Sequence, residues 1–203
     1  MKYFVTGATG FIGSRLVPKL IGQGHAVTCL VRNPAKAEAL QKMGATLAQG
    51  DVTEKASMQA PLRGMDGVFH LAGMYELGRE HHARMRAINV DGARNTFEAA
   101  LEAGVPRIVH TSTVGVFGNT HGNVPDETYR IEQNELSSEY ERTKWAAHYE
   151  VALPMIQRGA PIIITQPGAV TGRGDTSPLA QIFDMFLNRM PVMFGAQSGV
   201  TWA

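Results

Sequence analysis

The feature that most narrows the fold is a glycine-rich loop between a strand-like run and a helix-like one at the start of the chain. Tyr3 to Thr6 is short, apolar and rich in strand formers. The loop Thr6-Gly7-Ala8-Thr9-Gly10-Phe11-Ile12-Gly13 follows, and then Leu16, Leu20 and Ile21 continue a helical period begun at Phe11 and Ile12. In that context Gly7 permits the tight turn, Gly10 lets backbone approach a pyrophosphate, and Gly13 lets helix and strand pack closely. The first helical amides and the positive end of the helix then face an anion. A glycine triplet alone reads equally well as a structural turn. Its place between strand and helix decides for a dinucleotide, held by Gly7, Thr9, Gly10, Phe11, Ile12 and Gly13. The spacing is Gly-x-x-Gly-x-x-Gly rather than Gly-x-Gly-x-x-Gly.

The alternation continues. Strands are expected at 25–31, 45–49, 68–71, 107–111 and 161–165, and helices at 34–43, 54–62, 80–103, 137–158 and 179–187. Pro18 should bend the first helix or remove one of its hydrogen bonds, and Pro154 should bend or end the 137–158 helix. The runs Arg107–Thr111 and Pro161–Thr165 are continuously apolar, as in strands covered on both faces. The expected fold is α/β, a doubly wound parallel sheet of Rossmann type with right-handed crossovers. A hydrophobic share of 44% and a charged share of 18% suit one sizeable core. The net charge of +1 argues against nucleic acid or an anionic membrane surface as partner. The single cysteine, Cys29, points to a reducing, cytoplasmic setting, and the short apolar start Met1–Val5 to no leader or membrane anchor. The seven histidines show no zinc-type spacing, so no metal is expected.

The ends of the strands carry further candidates. Arg32 stands 19 positions after Gly13, where an NAD site places a carboxylate for the ribose 2′-hydroxyl. An arginine there binds a 2′-phosphate instead, with Lys36 close by, which favours NADP and leaves NAD as the alternative. A solvated arginine at a strand end is the bland reading. Asp51 can accept a bond from the adenine amino group, with Val52 covering the ring face. Asp51 equally suits a turn cap before Thr53 and Glu54. Leu71, Ala72 and Gly73 are small enough, after His70, to let backbone approach the cofactor, and His70 itself reads as packed.

Tyr140 and Lys144 lie four apart in a helical stretch, hence on one face, about 6 Å apart along the axis. A tyrosine titrates near pH 10, and a nearby ammonium lowers that value. Such a pair can exchange a proton with the oxygen of a carbonyl–carbinol couple. The hydroxyls of Thr111-Ser112-Thr113, at the end of a parallel strand, are placed to orient that oxygen, or simply to cap the strand.

Taken together, "TGATGFIG", "VRNP", "GDV", "HLAG", "NVDGARN", "HTSTVGVFG", "YERTK" and "QPGAVTGRGD" occur in order over nearly the whole chain. In these the chain resembles the extended short-chain dehydrogenases/reductases, the epimerase/dehydratase and dihydroflavonol-reductase-like members above all. The resemblance implies Tyr140 as general acid/base and Lys144 as a further ligand of the nicotinamide ribose. It implies Thr113, five residues before Gly118, as the catalytic hydroxyl, with Ser112 its neighbour and rival. Pro167 and Gly168 match the segment beside the nicotinamide carboxamide. Asn89 matches a helix asparagine, more structural than chemical. Arg32 resembles the NADP-preferring reductases. Extended members carry a smaller substrate lobe, and this chain stops near its start. That implies a dinucleotide-binding domain at 1–175 and an incomplete substrate region at 176–203.

The expected activity is NADP-dependent interconversion of a carbonyl and a secondary alcohol on a small organic molecule. The alternatives are an NAD-dependent nucleotide-sugar epimerase or dehydratase, and a non-catalytic NADP sensor or inactive truncated copy. The helices around 80–103 and 137–158 are candidates to pair across a homodimer.

Overall fold

The structure, a computed structural model, describes residues 1–175 and 177–189 of the 203-residue chain. It forms two units, Met1–Gln166 and Pro167–Ala203. Of the substrate region expected at 176–203, position 176 and positions 190–203 lie outside the described residues.

In the first unit six strands form one parallel sheet: β1 (Lys2–Thr6), β2 (Ala26–Val31), β3 (Thr46–Gln49), β4 (Gly67–His70), β5 (Ile108–Thr111) and β6 (Ile162–Thr165), in the order β3-β2-β1-β4-β5-β6. The strand order reverses between β1 and β4, and in open α/β sheets the crevice at the carboxyl ends there is where ligands bind. Period-2 alternation sends Phe4 and Leu30 to one face and Val5, Cys29 and Val31 to the other. The second face packs on α1 (Gly13–Gly22) and α2 (Glu38–Lys42) through Val17, Leu20 and Leu40. The first packs on α3 (Ala56–Gln59) and two long helical stretches through Met58, Val90, Phe97, Ala146 and Val151. Those stretches are α4 (His82–Arg86) continued through a π-helical turn, Ala87–Asp91, into α5 (Gly92–Glu102), and α6 (Glu139–Trp145) continued through Ala146–Ala152, also π-helical, into α7 (Leu153–Gln157).

The elements differ from the sequence reading at four places. The 34–43 helix begins as a 3-10 turn, Pro34–Ala37, because the Asn33 side chain accepts from the Ala35 amide. The 54–62 helix shrinks to the single turn of α3. Ser57 Oγ donates to the Glu54 and Asp51 carbonyls, and Pro61 has no N–H for the carbonyl of Ser57. Pro154 does not end its helix, since the wider π-helical turn precedes it and it falls in the first turn of α7. Among the described residues β6 lies at the edge of the sheet and its Ile163 is 55% exposed, so the apolar run at 161–165 is not covered on both faces there. Pro18 sits inside α1, which runs unbroken past it.

The second unit contributes α8 (Pro178–Leu187), capped by Ser177, whose hydroxyl accepts from the Ala180 amide. No described helix is long and apolar enough to cross a membrane.

Candidate active site

The glycine loop is shaped by close backbone packing. Gly7 adopts φ +70°, and a β-carbon there would stand 2.7 Å from the Ala72 nitrogen and from the Leu71 carbonyl carbon. One at Gly13 would collide with the Gly7 carbonyl oxygen and lie 2.6 Å from the Ala8 α-carbon. No substituent larger than hydrogen fits either place. The Gly10 amide donates to the Gly7 carbonyl (3.0 Å), closing the turn. Thr9, Gly10 and Ile12 are exposed, and no side-chain hydrogen bond caps the start of α1. The helix therefore presents its amides and positive end at the sheet edge without a competing cap. The neighbouring end of β4 is fixed by Thr6, whose backbone carbonyl accepts from the Leu71 amide and whose Oγ1 accepts from the Ala72 amide. Gly73 is held near the Asn89 side chain.

Arg32 and Lys36 are both exposed, beyond β2 and in the 3-10 turn after it. Neither forms an ion pair among the described residues. Asp51 Oδ1 accepts from both the amide and the hydroxyl of Thr53 (2.9 Å each), which is the turn cap that its position allowed. Val52 is turned into the core against Gly92 and is only 6% exposed.

Tyr140 and Lys144 sit on α6, which Ser138 and Glu141 start as a reciprocal capping box. Lys144 is 5% exposed and donates from Nζ to the Thr111 carbonyl at the end of β5 (2.7 Å). Burial pulls its ammonium down to about 8. The Tyr140 hydroxyl makes no hydrogen bond among the described residues. Burial, then Tyr75, then Glu141 hold this phenol above its ordinary value. The sequence reading expected a value lowered by the lysine. In the structure the Lys144 charge is committed to Thr111, and desolvation governs Tyr140.

Asn89, in the first π-helical turn, ties this helix to the loop after β4. Its Oδ1 accepts from the Met74 amide (2.7 Å), and its Nδ2 donates to the Met74 carbonyl and to Thr143 Oγ1 (2.9 Å each). Thr143 Oγ1 in turn donates to the Tyr140 carbonyl. Beyond Met74, Tyr75 meets Tyr140 edge to face, the ring centroids 4.9 Å apart.

The two candidate hydroxyls separate. Ser112 is buried, with Oγ 3.1 Å from His148 Nδ1. Thr113 is half-buried, and its Oγ1 accepts from the Gly115 amide, capping a short 3-10 turn. His70 and His110 stack in register on β4 and β5, with Phe97 edge-on to both. Burial first, and the Lys144 charge second, keep His70 down to about 3 and His110 well below its ordinary value, and pull His148 to about 4. These rings are neutral packing groups, as read for His70. Pro167 and Gly168 belong to the second unit, where both are half-buried. Tyr75 and His148 were not singled out in the sequence. Tyr75 lies 65 positions from Tyr140, and no periodicity links them.

Residues 3–196 match the model of a family described as the NAD dependent epimerase/dehydratase family. The chain belongs to the NAD-dependent epimerase/dehydratase family. It is 34% identical over 190 residues to a putative dihydroflavonol 4-reductase of Synechocystis, covering 92% of this chain and 55% of that one. It is 32% identical over 210 residues to a 3 beta-hydroxysteroid dehydrogenase/Delta 5→4-isomerase of Mycobacterium tuberculosis, covering 97% and 55%. The crystal structure of gox2253 superposes with a TM-score of 0.82 at 34% identity, over 93% of this chain and 58% of that one. A Thermotoga maritima UDP-glucose 4-epimerase, solved with UDP-glucose, shares the fold at a TM-score of 0.76 and 24% identity, over 97% and 66%. This epimerase/dehydratase-family chain spans about half the length of the curated relatives it matches.

Proposed function

We propose that this family member is an NADP-dependent reductase, converting a ketone or aldehyde on a small organic molecule to the alcohol. The observation that carries the reading is the meeting of two devices at the carboxyl edge of β1, β4 and β5. One is a loop that only glycine can form. The other is the Tyr140–Lys144 face, fixed to the end of β5 through Thr111. The loop fits a dinucleotide: the glycine packing leaves exposed backbone at the uncapped start of α1, with Leu71, Ala72 and Gly73 beside it. Arg32 and Lys36, exposed and without ion-pair partners among the described residues, suit a 2′-phosphate. In this reading Asp51 Oδ1 is already used within its turn, and Val52 contributes from the core. When bound, the nicotinamide would supply the hydride for the carbonyl carbon.

The chain's own residues supply the proton. Tyr140, a phenol at neutral pH, can donate its proton to a carbonyl oxygen. Thr113, half-buried at the end of β5, is the better-placed hydroxyl to orient that oxygen, because Ser112 is engaged with His148. Lys144 would bind ribose hydroxyls. The Synechocystis and Mycobacterium relatives are named for a reductase and a dehydrogenase, in keeping with this activity. A reducing, cytoplasmic setting, read from the single cysteine Cys29, belongs to the same proposal.

A homodimer through the exposed side of 82–102 belongs to the same proposal. The 139–157 helix offers less, since the 129–136 segment covers it. Trp145 Nε1 and the Tyr149 hydroxyl donate to the Ile131 and Tyr129 carbonyls, and Arg130 lies over both rings.

The test is a panel of ketones and aldehydes with NADPH, run on the protein and on Tyr140→Phe. Turnover should fall by about 10²–10⁴-fold in the variant while NADPH affinity holds. Equal turnover would reject Tyr140 as the acid.

A further inference from the structure

Tyr75 packs against Tyr140, and the acid/base scheme leaves it without a task. Its ring lies at 85° to that of Tyr140, with centroids 4.9 Å apart, so the two rings form a right-angled corner. Tyr75 remains 49% exposed, and its hydroxyl makes no hydrogen bond among the described residues. The corner is rigidly held. Met74, the preceding residue, is bonded through both its amide and its carbonyl to Asn89, and the same Asn89 side chain reaches Thr143, three residues from Tyr140. One buried amide therefore sets the loop carrying Tyr75 and the helix carrying Tyr140 in mutual register. An unbonded aromatic ring, half open beside the proton donor, offers a face for another flat ring.

We propose that Tyr75 is a specificity-determining residue, the wall on which a planar, apolar ring of the substrate lies while its carbonyl oxygen meets Tyr140. The proposal rests on the reductase reading above. A ketone whose carbonyl is fused to a flat aromatic ring gains the stacking contact. A saturated ring of the same size cannot lie flat against Tyr75 and loses it. Tyr75 touches substrate here without moving a proton, so phenylalanine should replace it and alanine should not.

The test measures binding of two probes of the same ring skeleton, 1-tetralone and its saturated counterpart 1-decalone, by saturation-transfer NMR with NADP⁺ present, which cannot reduce either. The unaltered protein should prefer 1-tetralone by about 5-fold or more beyond the ratio seen for Tyr75→Ala, and Tyr75→Phe should keep the preference. A parallel NADP⁺ titration separates the two levels of failure. If NADP⁺ does not bind, the reductase reading itself fails and this proposal with it. If NADP⁺ binds, the proposal alone is overturned by any of three results: the preference survives Tyr75→Ala, Tyr75→Phe abolishes it, or neither ketone shows saturable binding.

Discussion

The loop from Gly7 to Gly13 and the face of α6 carrying Tyr140 and Lys144 are built on opposite principles. The loop is backbone packed on backbone, and its specification is the absence of side chains at Gly7 and Gly13. The α6 face is made of side chains whose state is set from elsewhere: Thr111 on β5, Asn89 in the π-helical turn, Tyr75 beyond β4. A site built from absent side chains breaks at any addition. One built from distant partners can be retuned from several places.

The sharpest way to break the comparison is at Gly13. A Gly13→Val side chain would meet the Gly7 carbonyl and the Ala8 backbone, and NADPH affinity should drop by at least ~100-fold in a fluorescence titration. Retained affinity would show that the loop is not the phosphate seat. Asn89→Leu tests the second principle. It strands the Met74 amide and carbonyl, and should cost about 3 kcal/mol in urea unfolding while leaving the glycine loop able to bind NADPH.

Acid should act on the packing beneath the same face. His70 is held down to about 3, so between that value and the ordinary 6.5 the unfolded chain binds a proton that the fold refuses. Its contribution is complete above about pH 6.5 and is lost as pH falls. At pH 5 it alone amounts to about 2 kcal/mol. His110 and His148 shift in the same direction. Urea melts at pH 7.5 and 5 should show the loss, and a flat profile would mean that these rings are not buried neutral. The smallest effect is expected at the exposed rim: Arg32→Glu should lower the preference for NADPH over NADH by about 10-fold.

How much of this was legible in the sequence follows the same division. The six strands and the glycine loop could be read because each depends on neighbours in the chain. The apolar run 161–165 misled because its exposure depends on β6 lying at the sheet edge among the described residues. The pair Tyr140 and Lys144 could be placed on one helix face. Its charge state could not, because the Thr111 carbonyl and the burial of Tyr140 come from the packing of distant elements. Tyr75 carried no signal, since only the Asn89 clamp on Met74 brings it to Tyr140.

The most direct measurement is a fluorescence titration of the unaltered protein with NADPH and with NADH. Saturable, one-to-one binding of both is expected, with NADPH the tighter. Absence of saturable binding by either would contradict the cofactor reading at its root, and a clear preference for NADH would contradict the role given to Arg32.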